Sequence, residues 1–157
     1  MNKDLIKKYT AEVYDEIVGY RRHLHAHPEL SAHEKETTKY LASIMEENSI
    51  PYTLNPAGEG LIARIQGSKP GKVLAFRGDI DALPIPEETG LPFASENPGL
   101  MHACGHDCHM AILLAFGLVM ARHPELVEGT VVLIFQPSEE KFPGGASPMI
   151  KTGLLDD

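Results

Sequence analysis

The chain has 157 residues, of which 43% are hydrophobic and 23% are charged, as is typical of a single globular domain with a buried core. The net charge is −8 and there is no block of Lys and Arg, which argues against nucleic acids or anionic membranes as partners. The longest apolar run, residues 110–121, is shorter than the roughly 20 residues that a membrane-spanning helix needs. The N-terminus is amphipathic and does not resemble a signal peptide, so a cytoplasmic protein is expected.

The first part of the chain predicts two helices. Apolar side chains recur at three- and four-residue steps over residues 5–24, which predicts a long helix that ends before Pro28. Ser31 and Glu34 have the spacing of a capping box, which predicts a second helix through about residue 45.

Strands are predicted next, at residues 52–55, 61–65 and 72–78. The turn-forming residues 67–71 suggest that the last two of these strands pair as an antiparallel hairpin, with 72–78 buried. The proline-rich segment 80–101 predicts a loop.

The rest of the chain predicts a strand–helix–strand unit. Residues 105–122 are apolar almost all round and predict a buried helix, residues 129–135 predict a β-branched strand, and residues 146–151 begin another helix. The strands on either side of the buried helix should be parallel.

Side chains with metal-binding or acid–base chemistry follow the ends of this unit's strands or begin its helix. They are Asp79, Asp81, Cys104, His106, Glu139 and Glu140. Because ligands bind outside the carboxyl ends of strands in open α/β sheets, we expect these groups to converge on one edge.

Three histidines and both cysteines fall within residues 102–109, and imidazole and thiolate are good ligands for zinc-like metals. Spacing alone does not choose the ligands: Cys104 and His106 fit a turn, whereas His102 with His106, or His106 with His109, are alternatives. A redox pair of the two cysteines lacks the C-x-x-C spacing, and Cys108 is expected to be a small hydrophobic residue of the helix.

The carboxylates suggest a division of roles. Of the adjacent Glu139 and Glu140, one can bind a metal while the other takes a proton from water. Asp79 or Asp81 can orient a ligand imidazole, although an Asp before a proline can also simply form a turn. The histidines at the end of the first helix are expected at the surface, and they are His23, His25 and His27.

Four motifs in order along the chain resemble one enzyme family. They are Arg-Arg-His-Leu-His-Ala-His-Pro-Glu at 21–29, Arg-Gly-Asp-Ile-Asp-Ala-Leu-Pro at 77–84, Met-His-Ala-Cys-Gly-His-Asp at 101–107 and Phe-Gln-Pro-Ser-Glu-Glu at 135–140. The set resembles the aminoacylase/carboxypeptidase-type metallopeptidases, in the amidohydrolase subgroup that contains hippurate hydrolase, N-acyl-amino-acid amidohydrolase and auxin-conjugate hydrolase.

The resemblance implies roles for single residues. Cys104, His106 and Glu140 would be metal ligands, Glu139 the general base, and Asp81 the carboxylate that supports the metal site. The implied fold is the α/β zinc-peptidase-like catalytic domain, a mixed sheet flanked by helices. The implied reaction is hydrolysis of a small N-acyl amino acid or dipeptide-like substrate, with two Mn²⁺ or Zn²⁺ ions in the complete enzyme.

Members of the resembled family are more than twice as long. Residues 1–157 are therefore expected to be the N-terminal portion of a catalytic domain, without the inserted dimerisation domain and without two further histidine ligands. By the same resemblance we expect a homo-oligomer, and we expect the isolated chain to bind metal weakly. Two other functions remain open from the residues: a cysteine hydrolase with Cys104 as nucleophile, and a non-catalytic metal-binding or redox module.

Overall fold

A computed structural model of the chain describes residues 3–154 and 156. The helices are α1 (Lys3–Ala26), α2 (Lys35–Glu47), α3 (His106–Arg122) and α4 (Ala146–Lys151), and a 3₁₀ turn covers Pro124–Leu126. The strands are β1 (Tyr52–Leu54), β2 (Leu61–Gln66), β3 (Lys69–Asp79) and β4 (Glu128–Gln136). Each predicted element is present, with ends within about three residues of the expectation.

The strands form one mixed sheet in the order β1-β2-β4-β3. Strands β1 and β2 are antiparallel, as are β2 and β4, whereas β3 and β4 are parallel. The predicted parallel strand–helix–strand unit is therefore confirmed, with α3 as the crossover helix. The mixed sheet flanked by helices also confirms the expected fold class.

The predicted hairpin of β2 with β3 is wrong. Strand β4 lies between these strands and pairs with both, because the crossover through α3 returns the chain beside β3 on the side where β2 lies. As a result, β3 forms an edge of the sheet in the described part of the chain and is exposed over most of its length, so the expected burial of this strand is also wrong. The sequence also leads to the expectation that strand 129–135 forms the open edge of the sheet, and this is wrong for the same reason.

The main core lies between the sheet and the layer of α1, α2 and α3. Leu61, Ala63 and Ile65 of β2 point into it, together with Leu114 and Leu118 of α3. The opposite face of the sheet carries a small cluster, formed by Ile62, Val132 and Met149. The apolar side chains of α2 that the pattern of the helix turns inward, Leu41, Ile44 and Met45, are buried.

The predicted capping box at the start of α2 is wrong. In the described residues Glu34 makes no side-chain capping bond, and the carboxylate of Glu29 accepts hydrogen bonds from the amides of Glu36 (3.2 Å) and Thr37 (2.7 Å) instead. A carboxylate at this position satisfies free amides and interacts favourably with the helix dipole. Ser31 and Glu34 are consequently free to bind elsewhere.

None of the helices in the described residues is both long and apolar enough to span a bilayer.

Candidate metal and catalytic site

The predicted convergence of polar groups is observed at the carboxyl ends of β3 and β4. Asp79 and Gln136 are register partners at the end of this parallel pair, so the segments that follow the strands leave the sheet side by side. The amide of Glu140 donates a 2.9 Å hydrogen bond to Oδ2 of Asp81, which joins the two segments directly. The edge thus brings together residues 59 positions apart in sequence.

A three-residue group at this edge has the geometry to hold a metal ion. One ligand atom each from Cys104, His106 and Glu140 lies within 4.8 Å of the others. Gly105, between the first two residues, has φ of 82°, a left-handed conformation that glycine adopts without strain. A glycine at the start of α3 therefore lets the thiol and the imidazole face one point, as the turn spacing of the sequence suggested.

The protonation of His106 follows from its neighbour. Its Nδ1 lies 2.8 Å from the carbonyl oxygen of Asp81, and since a carbonyl only accepts, Nδ1 carries the proton. Nε2 then faces Glu140, whose Oε1 is 3.8 Å away. A backbone carbonyl behind a ligand histidine fixes its tautomer and orientation in this way in metal sites.

Asp81 is the buried centre of the arrangement. Its carboxylate accepts hydrogen bonds from the hydroxyl of Ser31 at 2.6 Å and from the Glu140 amide, and its Oδ1 lies 3.3 Å from Nδ1 of His106. Burial alone would raise the pKa of Asp81, but these hydrogen bonds lower it well below its usual range. The side-chain hydrogen bond to Asp81 raises the pKa of His106 to about 9 against the opposing effect of burial.

The carboxylates give the site a strong negative potential. The thiol of Cys104 donates a hydrogen bond to Glu140, and this bond, with burial and the nearby charges of Glu139 and Asp79, raises the pKa of the thiol to about 11. A thiolate is therefore disfavoured here until a cation offsets the charge. A cysteine, a histidine whose Nε2 faces the same point and a carboxylate are donors that fit a zinc-like divalent ion once the thiol and Nε2 give up their protons.

Glu139 is an exposed group at the rim of the site. Its side chain is 42% exposed, and Oε2 lies 3.9 Å from Nε2 of His106. It is thus beside the ligand group and open to solvent, where a substrate and water can reach it.

The other histidines of the window differ in their surroundings. Asp79, His106 and His109 form a second group whose ligand atoms lie within 4.8 Å, so the alternative that pairs His106 with His109 is retained. His102 is buried, and burial as the main cause lowers its pKa to about 4. Neither of its ring nitrogens has a hydrogen-bond partner among the residues that the structure describes.

Two expectations for single residues are wrong. Cys108 is exposed, because it lies on the outer side of the first turn of α3. His25 is buried: its Nδ1 lies 2.7 Å from Asp107 and its Nε2 3.1 Å from Glu87. His23 and His27 are exposed, as expected.

Sequence reasoning missed three buried contributors, Glu34, Asp107 and the inward-facing His25. The motif at 21–29 is visible in the sequence, but the contact of its His25 with Asp107, 82 positions away, has no local signal. Only the tertiary structure shows these contacts.

An α/β sheet with candidate metal ligands and a carboxylate base at its carboxyl edge is the architecture of a metallohydrolase. The model of Peptidase family M20/M25/M40 matches residues 75–157, which include Asp81, Cys104, His106, Glu139 and Glu140. The chain belongs to this family.

Individual relatives agree with this assignment. The chain is 42% identical over 156 residues to N-acyl-L-amino acid amidohydrolase of Geobacillus stearothermophilus, covering 99% of this chain and 42% of that protein. It is 42% identical over 161 residues to thermostable carboxypeptidase 1 of Saccharolobus solfataricus, covering 98% and 40%. The chain therefore spans about two fifths of the length of these relatives.

A solved structure shows the same fold. It is that of a Bacillus subtilis protein described as a dinuclear metal binding peptidase of the M20 family, which superposes with a TM-score of 0.85 at 43% identity. The superposition covers 96% of this chain and 41% of the other. The arrangement of helices and strands described above is thus that of the M20 peptidase catalytic domain.

Proposed function

We propose that these residues belong to a metal-dependent amidohydrolase that removes the acyl group from N-acyl amino acids. The observation that carries the proposal is the group of Cys104, His106 and Glu140 with Glu139 beside it at the edge of the sheet. The proposal is also supported by a relative that is named N-acyl-L-amino acid amidohydrolase. The reaction class is the hydrolysis of a small amide.

In this proposal Cys104, His106 and Glu140 hold a divalent ion, Zn²⁺ or Mn²⁺, and a second ion binds in the complete enzyme. A bound ion supplies Lewis acidity, which polarises water and the amide carbonyl. Asp81 keeps the His106 ring in the tautomer whose Nε2 is free, and it fixes the amide of Glu140.

Glu139 performs the proton transfers. Its exposed carboxylate takes a proton from the attacking water as the new C–O bond forms, and it gives the proton to the amine nitrogen as the C–N bond breaks. The products are a carboxylic acid and a free amino acid, so atoms and protons balance without any further reactant.

The rival with Cys104 as a nucleophile is disfavoured by electrostatics. Reactive cysteines lie in electropositive surroundings with lowered pKa values, whereas carboxylates surround Cys104 and raise its pKa to about 11. Chelation followed by metal addition separates the functions: a cysteine hydrolase stays active without metal, and a non-catalytic module hydrolyses nothing in either state.

The decisive experiment replaces Glu139 by Gln in the metal-loaded enzyme that carries these residues. Turnover of a panel of N-acetyl-L-amino acids should fall by about 10²–10⁴-fold, because general-base catalysis is lost. Metal content should stay normal, since Glu139 is not a ligand. Glu88→Gln, at an exposed position, is the control; full turnover in Glu139→Gln would refute the proposal.

Metal loading tests the ligand assignment. Cys104→Ser should lose bound metal, whereas Cys108→Ser should keep it, because Cys108 lies outside the ligand group. Metal content per chain, measured after dialysis, decides. If Cys108→Ser lost the metal and Cys104→Ser kept it, the ligand would be Cys108 and the assignment would be wrong.

We further propose that residues 1–157 are the N-terminal portion of a longer, cytoplasmic catalytic domain, and that the enzyme is a homo-oligomer. The first part is supported by the two fifths of the relatives' length that the chain spans. Exposed apolar side chains on the edge strand β3, Val73, Leu74 and Phe76, favour self-association of the isolated chain. Sedimentation of the purified 157-residue chain tests its self-association, and a strict monomer would contradict that expectation.

A further inference from the structure

The segment between α1 and α2 reaches the proposed site at two points. Ser31 and Glu34, three residues apart, are both buried, and Glu34 is 0% exposed. The hydroxyl of Ser31 donates a 2.6 Å hydrogen bond to Oδ2 of Asp81. Oε1 of Glu34 accepts a 2.7 Å hydrogen bond from the amide of Ser138, 104 positions away.

The backbone of this segment contains one left-handed residue, in a turn that the amide of His33 closes on the carbonyl of Leu30. Ala32, between the two side chains, has φ of 66°, in the left-handed region that alanine rarely adopts. Such a conformation is unfavourable for a residue with a Cβ atom, and it persists where the surroundings over-determine it. The hydrogen bonds of Ser31 and Glu34 on either side of Ala32 are such surroundings.

The segment that carries Glu139 is held on both sides. Ser138 also has a left-handed conformation, with φ of 55°, and Glu34 binds its amide. Two residues later, the amide of Glu140 is bound by Asp81, which Ser31 holds in turn. Glu139 lies between these two anchored amides, although its own side chain is exposed to solvent.

We propose that Ser31 and Glu34 form a strut that positions the general base Glu139 for proton transfer. Both are positioning residues, and the inference rests on the proposed function of Glu139. Glu34 acts on the turn at Ser138 and so on the direction of Glu139. Ser31 acts through Asp81, which also contacts His106, so its effect extends to the metal ligands.

The two members of the strut should therefore give different phenotypes. Glu34→Ala should lower kcat by about 10–100-fold, the size of effect expected from misplacing a reacting group by about 1 Å, with KM and metal content nearly unchanged. Ser31→Ala should weaken metal binding more than Glu34→Ala does, because it loosens Asp81.

A conservative variant separates positioning from general stability. Burial raises the pKa of Glu34, so a neutral side chain suits the site. Glu34→Gln keeps a carbonyl oxygen for the Ser138 amide and should restore most of kcat. Glu34→Asp keeps the carboxyl group but is one methylene shorter, so it should lose the contact with the Ser138 amide and lower kcat as Glu34→Ala does. It therefore serves as the test variant if Glu34→Ala folds poorly.

The experiment combines kinetics with amide hydrogen exchange. In the metal-loaded enzyme, kcat and KM for N-acetyl-L-amino acids are measured for the Glu34 variants, alone and combined with Glu139→Gln. If Glu34 acts through Glu139, Glu34→Asp should cause no further loss in the Glu139→Gln background. In the purified 157-residue chain, the Ser138 amide should exchange at least tenfold faster in Glu34→Asp, while the amide of Ala63 in β2 keeps its rate.

The outcomes distinguish the inference from the function on which it rests. Normal turnover in Glu139→Gln refutes the proposed function. Loss of turnover in Glu139→Gln, together with normal kcat and unchanged Ser138 exchange in Glu34→Asp, refutes the strut alone. An equal loss from Glu34→Asp in both backgrounds also refutes it, because the effect would then not pass through Glu139.

Discussion

Two buried aspartates lie near the start of α3, Asp81 beside it and Asp107 in its first turn, and they are held in different ways. Asp81 accepts hydrogen bonds from the Ser31 hydroxyl and the Glu140 amide, both neutral donors, and it contacts the ring of His106. Asp107 instead lies 2.8 Å from Nε of Arg21 and 2.7 Å from Nδ1 of His25, both on α1. One carboxylate therefore organises the segments that carry the proposed chemistry, and the other ties two helices together.

Asp107, Arg21 and His25 form what we call the Asp107 centre, and Asp81 with its partners forms the Asp81 centre. The Asp107 centre extends into the loop that precedes α3. Nε2 of His25 lies 3.1 Å from Oε1 of Glu87, so His25 bridges the two carboxylates. The hydroxyl of Thr89 and the amide of Ser95 also donate to Glu87. This chain of contacts fastens the 80–101 loop onto α1 and α3. A buried Asp next to a proposed metal ligand can therefore be structural, and the groups that donate to it reveal which role it has.

The largest expected effect separates the two centres by stability. Asp107→Ala should lower the free energy of unfolding of the chain by about 3 kcal/mol or more, because it leaves the buried His25 and the Arg21 charge without their partner. Urea denaturation measures this. The exposed Asp15→Ala on α1 is the control and should change stability little. An Asp107→Ala chain as stable as the control would contradict the structural role.

The next effect separates them by metal binding. Asp81→Ala in the complete enzyme should weaken metal affinity or activity by about 10–100-fold, the usual loss when support behind a ligand is removed. The backbone carbonyl that binds Nδ1 of His106 remains, but the carboxylate beside the ring and the acceptor of the Glu140 amide are lost. Asp107→Ala, measured at a temperature where it stays folded, should keep metal affinity near the wild-type value. Competition with a chelator gives both affinities. Equal losses in the two variants would show that the centres act as one.

The smallest effect is a pH dependence at the Asp107 centre. Burial would raise the pKa of Glu87, but hydrogen bonds from Thr89, Ser95 and His25 outweigh burial and lower it to about 2. The pKa of a glutamate in the unfolded chain is about 4.3. Because the pKa of Glu87 is lower in the folded state, its carboxylate stabilises the fold above this pH, and this contribution is lost as the pH falls from about 4.3 toward 2. The stability difference between wild type and Glu87→Gln should therefore shrink on acidification through this range.

Unfolding by urea at pH 6, 4 and 3 measures that difference. The exposed neighbour Glu88→Gln serves as the matched control and should follow the wild-type curve. A stability gap for Glu87→Gln that grows on acidification would contradict the assigned direction of the pKa.

The sequence alone predicted the elements and the composition of the site. Hydrophobic periodicity marked α1, α3 and β4, because period and burial are local properties of a segment. The concentration of thiol and imidazole groups at 102–109, and the adjacent Glu139 and Glu140, indicated metal-assisted hydrolysis, because donor chemistry depends on residue type. The parallel β3–α3–β4 unit then placed these groups at one edge of the sheet.

Only the tertiary structure decided which strands are neighbours and which groups the buried polar side chains bind. The insertion of β4 between β2 and β3 could not be predicted from the turn at 67–71, because strand order depends on where a crossover returns. The spacing of Ser31 and Glu34 suggested a helix cap, yet their hydrogen bonds go to Asp81 and Ser138. A buried polar group binds whichever donor or acceptor the fold brings within about 3 Å, and that depends on contacts across the whole chain rather than on neighbours in sequence.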